Sequence, residues 1–108
     1  MSKIYEIQNA KDLYNILTTY ANRLIVIDFY APWCGPCKRL SAYLEQNISK
    51  YPNIIFLKIN IDNDNCSEIV EKFKVTNIPR IIMFYNKTLV HDITGFKETE
   101  LQNILNKY

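Results

Sequence analysis

Seven consecutive residues, Leu24-Ile25-Val26-Ile27-Asp28-Phe29-Tyr30, constrain this chain more than any others. They hardly alternate between apolar and polar types, so as a strand they must be covered on both faces. Ile54-Ile55-Phe56-Leu57-Lys58-Ile59 reads the same way. Strands of this kind need helices above and below, and the remaining sequence supplies them. Leu13, Ile16, Leu17 and Tyr20 fall at i, i+3, i+4 and i+7, one stripe of a helix that Asn9 is placed to cap. Leu40, Tyr43, Leu44 and Ile48 form a second stripe, ended by Pro52. Asn65, with Glu68 three residues on, resembles a capping pair that opens a short helix through Ile69, Val70 and Phe73. Arg80 to Tyr85 and Leu89 to Thr94 predict the strands of a hairpin joined through Asn86-Lys87-Thr88. Leu101, Ile104, Leu105 and Tyr108 make a last helical stripe. With a short strand near Ile4 to Ile7, the order is βαβαβαββα, an α/β chain whose mixed sheet carries helices on both faces.

At 108 residues a single domain over 1–108 is expected, of a size that can bury a core unaided. A 48% apolar fraction argues against disorder, and a net charge of +2 is too mild to announce nucleic acid or an anionic membrane. No stretch approaches the ~20 apolar residues of a membrane span. Met-Ser-Lys-Ile-Tyr-Glu-Ile lacks the apolar run of about 7–15 residues that a signal peptide needs. The expectation is therefore a soluble protein of a reducing compartment, the cytoplasm, with neither nucleic acid nor membrane as partner. Three cysteines are too few for a secreted disulfide scaffold, and their odd number leaves at least one thiol free.

Chemistry concentrates in Ala31-Pro32-Trp33-Cys34-Gly35-Pro36-Cys37-Lys38, between the most apolar strand and a helix. Open α/β sheets place their sites at the carboxyl ends of strands. With Cys34 at the helix's first turn, Pro36 is tolerated because its missing N–H would have no helical partner. Cys34 and Cys37 then stand at i and i+3, on one face and within reach of a disulfide. Free backbone N–H groups and the positive helix end would favour an accessible Cys34 thiolate, with Cys37 shielded one turn deeper. A purely structural disulfide needs no Trp-Cys-Gly-Pro-Cys context. Zinc usually wants four ligands in paired spacings, and the remaining Cys66 and His91 form no second pair. A redox dithiol is the favoured reading, and no metal is expected. Asp28, a carboxylate inside a covered strand, should be desolvated and hold a proton near neutral pH, unless it turns to solvent at the strand end.

The run Trp33-Cys34-Gly35-Pro36-Cys37-Lys38 after Val26-Ile27-Asp28-Phe29 resembles the thioredoxin family. The order of elements, Ile78-Pro79 before a strand and Gly95 after the last strand extend the likeness along the chain. The resemblance implies a thioredoxin fold, a central mixed five-stranded sheet flanked by four helices. It further implies that Cys34 attacks a substrate disulfide and Cys37 resolves the mixed disulfide, leaving Cys34–Cys37 oxidised. Asp28 would serve as base for Cys37, and Lys58 as the lysine near that carboxylate, or else as a sheet-end lysine reaching water. Trp33, Ile78, Pro79, Gly95 and Phe96 would bind substrate around the sulfur, with Pro79 cis and Gly35 and Pro36 completing the active loop. Disulfide-containing proteins would be the substrates. No cofactor would be bound, electrons coming from NADPH through a thioredoxin reductase. A monomer is expected, with a Cys66-linked dimer as an alternative to an inert buried thiol.

Four positions depart from the family pattern. Arg80 follows Pro79 where a threonine is usual and would support the thiolate or select acidic partners if it pointed to the site. Ala42 replaces a kinking proline, Tyr30 precedes the active loop, and Lys87 takes a turn position where glycine is common. A redox-idle binding module within a larger assembly, and a disulfide oxidase or isomerase, are the rival functions.

Overall fold

A computed structural model describes residues 3–108. It contains β1 (Ile4–Glu6), α1 (Ala10–Thr19), β2 (Ile25–Tyr30), α2 (Gly35–Asn47), β3 (Ile55–Asn60), α3 (Ser67–Lys72), β4 (Arg80–Tyr85), β5 (Thr88–Thr94) and α4 (Glu98–Leu105). Short 3₁₀ turns at Ile48–Lys50 and Asp64–Cys66 extend α2 and precede α3. The sheet runs β1-β3-β2-β4-β5. β3 pairs in parallel with both β1 and β2, whereas β4 pairs antiparallel with β2 and β5. The α/β order and the mixed sheet are those the sequence predicts.

β2 is central and buried on both faces, as its uninterrupted apolar run requires. Leu24 and Val26 share one core with Phe56 and Met83, covered by Leu40 and Leu44 of α2 and by Leu101 and Leu105 of α4. Ile25, Ile27 and Phe29 face the other way, onto a core with Leu57, Ile59 and Ile82 that Leu13 of α1 and Ile69 of α3 close. Each fully buried aliphatic side chain contributes about 1.5–3 kcal/mol, so the first of these cores fixes how α2 seats on the sheet. Because α2 follows β2 directly and lies back over it, the start of α2 stands above the carboxyl end of β2. Asp28 has the strand parity of Leu24 and Val26, so its side chain leaves β2 on the face that α2 covers.

Two local expectations are corrected. Asn65 does not cap α3, which has no side-chain cap. Asn63 instead accepts the Asn65 N–H and opens the 3₁₀ turn one step earlier. The β4–β5 link is also shorter than Asn86-Lys87-Thr88, because Thr88 already pairs with Tyr85. Asn86 and Lys87 alone turn the chain, with φ of 52° and 64°. Positive φ at both positions is what a type I′ hairpin turn demands. Lys87 thus adopts the backbone that a glycine would otherwise supply.

Candidate active site: a dithiol and a buried carboxylate

Cys34 is the N-cap of α2, with extended backbone, and Gly35 and Pro36 form the first two helical positions. Pro36 sits where no helical N–H is needed, as expected. Cys37, Leu40 and Leu44 are the buried residues of α2, spaced i, i+3 and i+7 along its inner face. Cys34 and Cys37 form a disulfide across one helical turn, with Cα atoms 5.2 Å apart. The Cys37 N–H donates to Cys34 Sγ at 3.2 Å. One of the helix's otherwise orphaned N–H groups is therefore aimed at that sulfur.

The expected open sulfur is not found in this oxidised state. Cys34 is only 5% exposed, because its sulfur is bonded inward and shares a small cluster with Ala31 and Cys37. Tyr30, Ile61 and Ile78 pack on that cluster. Trp33 next to it is 68% exposed, and its indole N–H donates to Asp62 at 2.8 Å. The Ile78–Pro79 bond is cis, and Pro79 accepts the Gly95 N–H at 2.7 Å. Gly95, at φ +87°, occupies backbone that a side chain would strain. Trp33, Ile78, Pro79 and Gly95 thus gather around the dithiol. Phe96 does not join them: its ring packs on Tyr43 of α2, centroids 5.6 Å apart. Ile61 and Asp62 were not foreseen, since a lone apolar residue and a lone acid in a loop carry no pattern.

Asp28 is 3% exposed, so it does not turn to solvent. Its Oδ1 has no hydrogen-bond partner among the described residues. Burial raises the carboxyl to about 7, with the Lys58 charge pulling down and the Glu6 charge pushing up. Lys58 stands beside Asp28 in register, yet its ammonium pairs with Glu6 at 3.8 Å. Lys58 is thus a partly exposed lysine paired with Glu6, and it acts on Asp28 only through its charge. Glu6 went unnoticed because a single acid in a three-residue edge strand gives no sequence signal.

Arg80 does not reach the sulfurs. It shares the strand parity of Ile82, which faces the α1/α3 core. Its guanidinium grips Asp92 through two bonds of 2.9 and 2.7 Å and donates to the Phe73 and Lys74 carbonyls. Those carbonyls end α3, so Arg80 ties the Pro79 loop to that helix. Cys66 is fully buried in the α1/α3 core, its sulfur 3.5 Å from the Ile7 carbonyl. A dimer linked through Cys66 would need that core to open. Among the described residues no group of three or more His, Cys, Asp or Glu is placed to hold a metal, and no helix is long and apolar enough to cross a membrane.

With Cys66 sealed away, a disulfide can be exchanged with another molecule only through Cys34 and Cys37, and this defines a thiol–disulfide oxidoreductase. The Thioredoxin family model matches residues 5–107. Thioredoxin 1 of Plasmodium falciparum (isolate 3D7) is 33% identical over 87 residues, covering 81% of this chain and 82% of that protein. Thioredoxin of Chlamydia pneumoniae is 38% identical over 89 residues, covering 82% and 85%. The X-ray structure of Fasciola hepatica thioredoxin superposes with a TM-score of 0.88 at 29% identity, covering 95% of this chain and 97% of that one. The chain belongs to the thioredoxin family, and its Cys34–Cys37 pair makes it a protein-disulfide oxidoreductase of that family.

Proposed function

We propose that the chain is a general protein-disulfide reductase of the cytosol, with Cys34 as nucleophile and Cys37 as resolving thiol. An NADPH-dependent thioredoxin reductase returns it to the dithiol. The Cys34 thiolate attacks one sulfur of a substrate disulfide, forming a mixed disulfide and releasing the other sulfur as a thiolate. Cys37 then gives up its proton, attacks Cys34 Sγ and releases the second substrate thiolate. Two electrons pass to the substrate and Cys34–Cys37 is left oxidised. Asp28, on the face of the sheet that α2 covers and raised to about 7, accepts the Cys37 proton in that second step. When the disulfide is reduced again, the proton returns to the departing Cys37 sulfur.

The carrying observation is the N–H of Cys37 directed at Cys34 Sγ from the N-cap of α2. A donor so placed stabilises a thiolate at Cys34 more than a thiol, which lowers the Cys34 pKa. Exposed Trp33 and the backbone beside Ile78 offer an apolar edge to an extended protein segment, with few side-chain demands on its sequence. Insulin reduction with NADPH and a thioredoxin reductase tests the reading. Steady NADPH consumption that requires the chain is expected; no turnover at neutral pH refutes it.

A further inference from the structure

We infer that Glu6, held by the Tyr30 hydroxyl, is a positioning residue for the exchange reaction: it keeps the Lys58 ammonium away from Asp28, so that Asp28 retains the proton it exchanges with Cys37. The inference rests on the role proposed above for Asp28. Glu6, Lys58 and Asp28 are neighbours in register across β1, β3 and β2, so their side chains leave the same face of the sheet in one row. Tyr30, two residues beyond Asp28, lies on that face too.

Lys58 stands between two carboxylates and takes only one. Its Nζ is 3.8 Å from Glu6 and lies over the Tyr30 ring, 5.7 Å from the centroid. The Tyr30 hydroxyl donates to the Glu6 carboxylate, 2.7 and 2.9 Å from its two oxygens. Asp28 Oδ1 has no partner among the described residues. The choice has a physical reason. Glu6 is partly exposed and keeps much of its hydration when charged, whereas ionising buried Asp28 forfeits nearly all of its own. An ammonium at the junction is drawn to the acid that stays ionised. Tyr30 then fixes that acid, and burial together with Glu6 holds its own hydroxyl protonated, so it remains a donor.

Removing Glu6 has two consequences of one sign. A negative charge that disfavours Asp28 ionisation is lost, and the ammonium is freed to approach Asp28. Both push the Asp28 carboxyl toward the ionised form. The other groups on this side of the sheet give no substitute: β4 contributes apolar Ile81 in the same row, and the buried residues of α2, Cys37, Leu40 and Leu44, include no carboxylate or ammonium. Glu98 and Glu100, in the first turn of α4 on this side of the sheet, are exposed.

Carboxyl NMR titration of Asp28 in the oxidised, full-length protein tests the inference. Glu6→Gln should lower the Asp28 midpoint by about one pH unit. Tyr30→Phe, which leaves both charges in place, should lower it less but in the same direction. Lys58→Met should raise it, and in the Glu6→Gln/Lys58→Met double variant most of the drop should disappear. In the reduced protein, the pH profile of mixed-disulfide resolution should move with the same midpoints. An Asp28 midpoint unmoved by Glu6→Gln, or a drop as large in the double variant as in the single, overturns the inference. These titrations do not depend on reductase activity. Failure of the wild-type chain to reduce insulin would refute the proposed function and leave the Asp28 midpoints to decide this point separately.

Discussion

Cys34 and Cys66 both occupy the N-cap of a helix, in α2 and α3. Both are buried, at 5% and 0% exposure. Their sulfurs nevertheless meet the backbone in opposite senses. Cys34 Sγ accepts an N–H from its own helix, an arrangement that a thiolate strengthens. The Cys66 thiol donates to the Ile7 carbonyl, so ionising it would break the bond and set a charge against a carbonyl oxygen. Burial pushes the Cys66 thiol up as well. A helix N-terminus therefore does not activate a cysteine by itself. What matters is whether the sulfur faces the free N–H groups and what else lines its side of the sheet. The α1/α3 core around Cys66 is apolar, whereas the α2 side ends in the row of Glu6, Lys58 and Asp28.

Substitutions can break that comparison at several places. The largest effect is expected at Cys34: Cys34→Ser should reduce insulin reduction to background, while Cys66→Ser leaves it at the wild-type level. Cys37→Ser should accumulate mixed disulfides with substrate, visible by mass spectrometry; rapid release of product would contradict the assigned order. If Cys66→Ser lost activity as completely as Cys34→Ser, the two N-caps could not be distinguished as claimed.

A second effect is thermodynamic and belongs to Asp28. Its folded carboxyl titrates at about 7, against an ordinary value of 3.8. The folded state therefore binds a proton more tightly than the unfolded state. That contribution to stability is fully present below pH ~4 and is lost as pH rises through about 7. At roughly 1.36 kcal/mol per unit the loss amounts to about 4 kcal/mol. Asp28→Asn should remove it, so the oxidised variant gains stability over wild type at pH 8 relative to pH 4. Urea denaturation at the two pH values measures this, and an equal difference at both would show that Asp28 ionises freely.

Smaller effects sharpen the contrast. Cys66→Ala should destabilise by about 1–2 kcal/mol through lost packing, without touching exchange. Arg80→Gln should cost about 1 kcal/mol, since its pairs are partly exposed and solvent screens them. It should leave the reactivity of Cys34 unmoved, because the guanidinium lies on the other side of the sheet.

The two covered strands, the helical stripes and the dithiol were legible because each is a local pattern with a periodicity or spacing. Burial of Asp28 was legible for the same reason, as one acid in an apolar run. The direction of Arg80 was not: every following residue of β4 is apolar, so alternation gave no parity to read. Asn63 escaped as a cap because the 3₁₀ turn moves the start of the helical segment, and two asparagines flank Asp64. The Glu6–Tyr30 bond joins residues 24 apart, and only the pairing of β1 with β3 brings them together. Contacts of that kind exist in the register, not in any single segment.

The most direct measurement is the pH dependence of alkylation of the fully reduced protein by iodoacetamide, resolved for each cysteine by mass spectrometry. Cys34 should be modified with a midpoint well below the ~8.5 of an ordinary thiol, while Cys66 stays unmodified until the protein unfolds. A Cys34 midpoint at or above that of free cysteine would contradict the assignment of Cys34 as the stabilised thiolate.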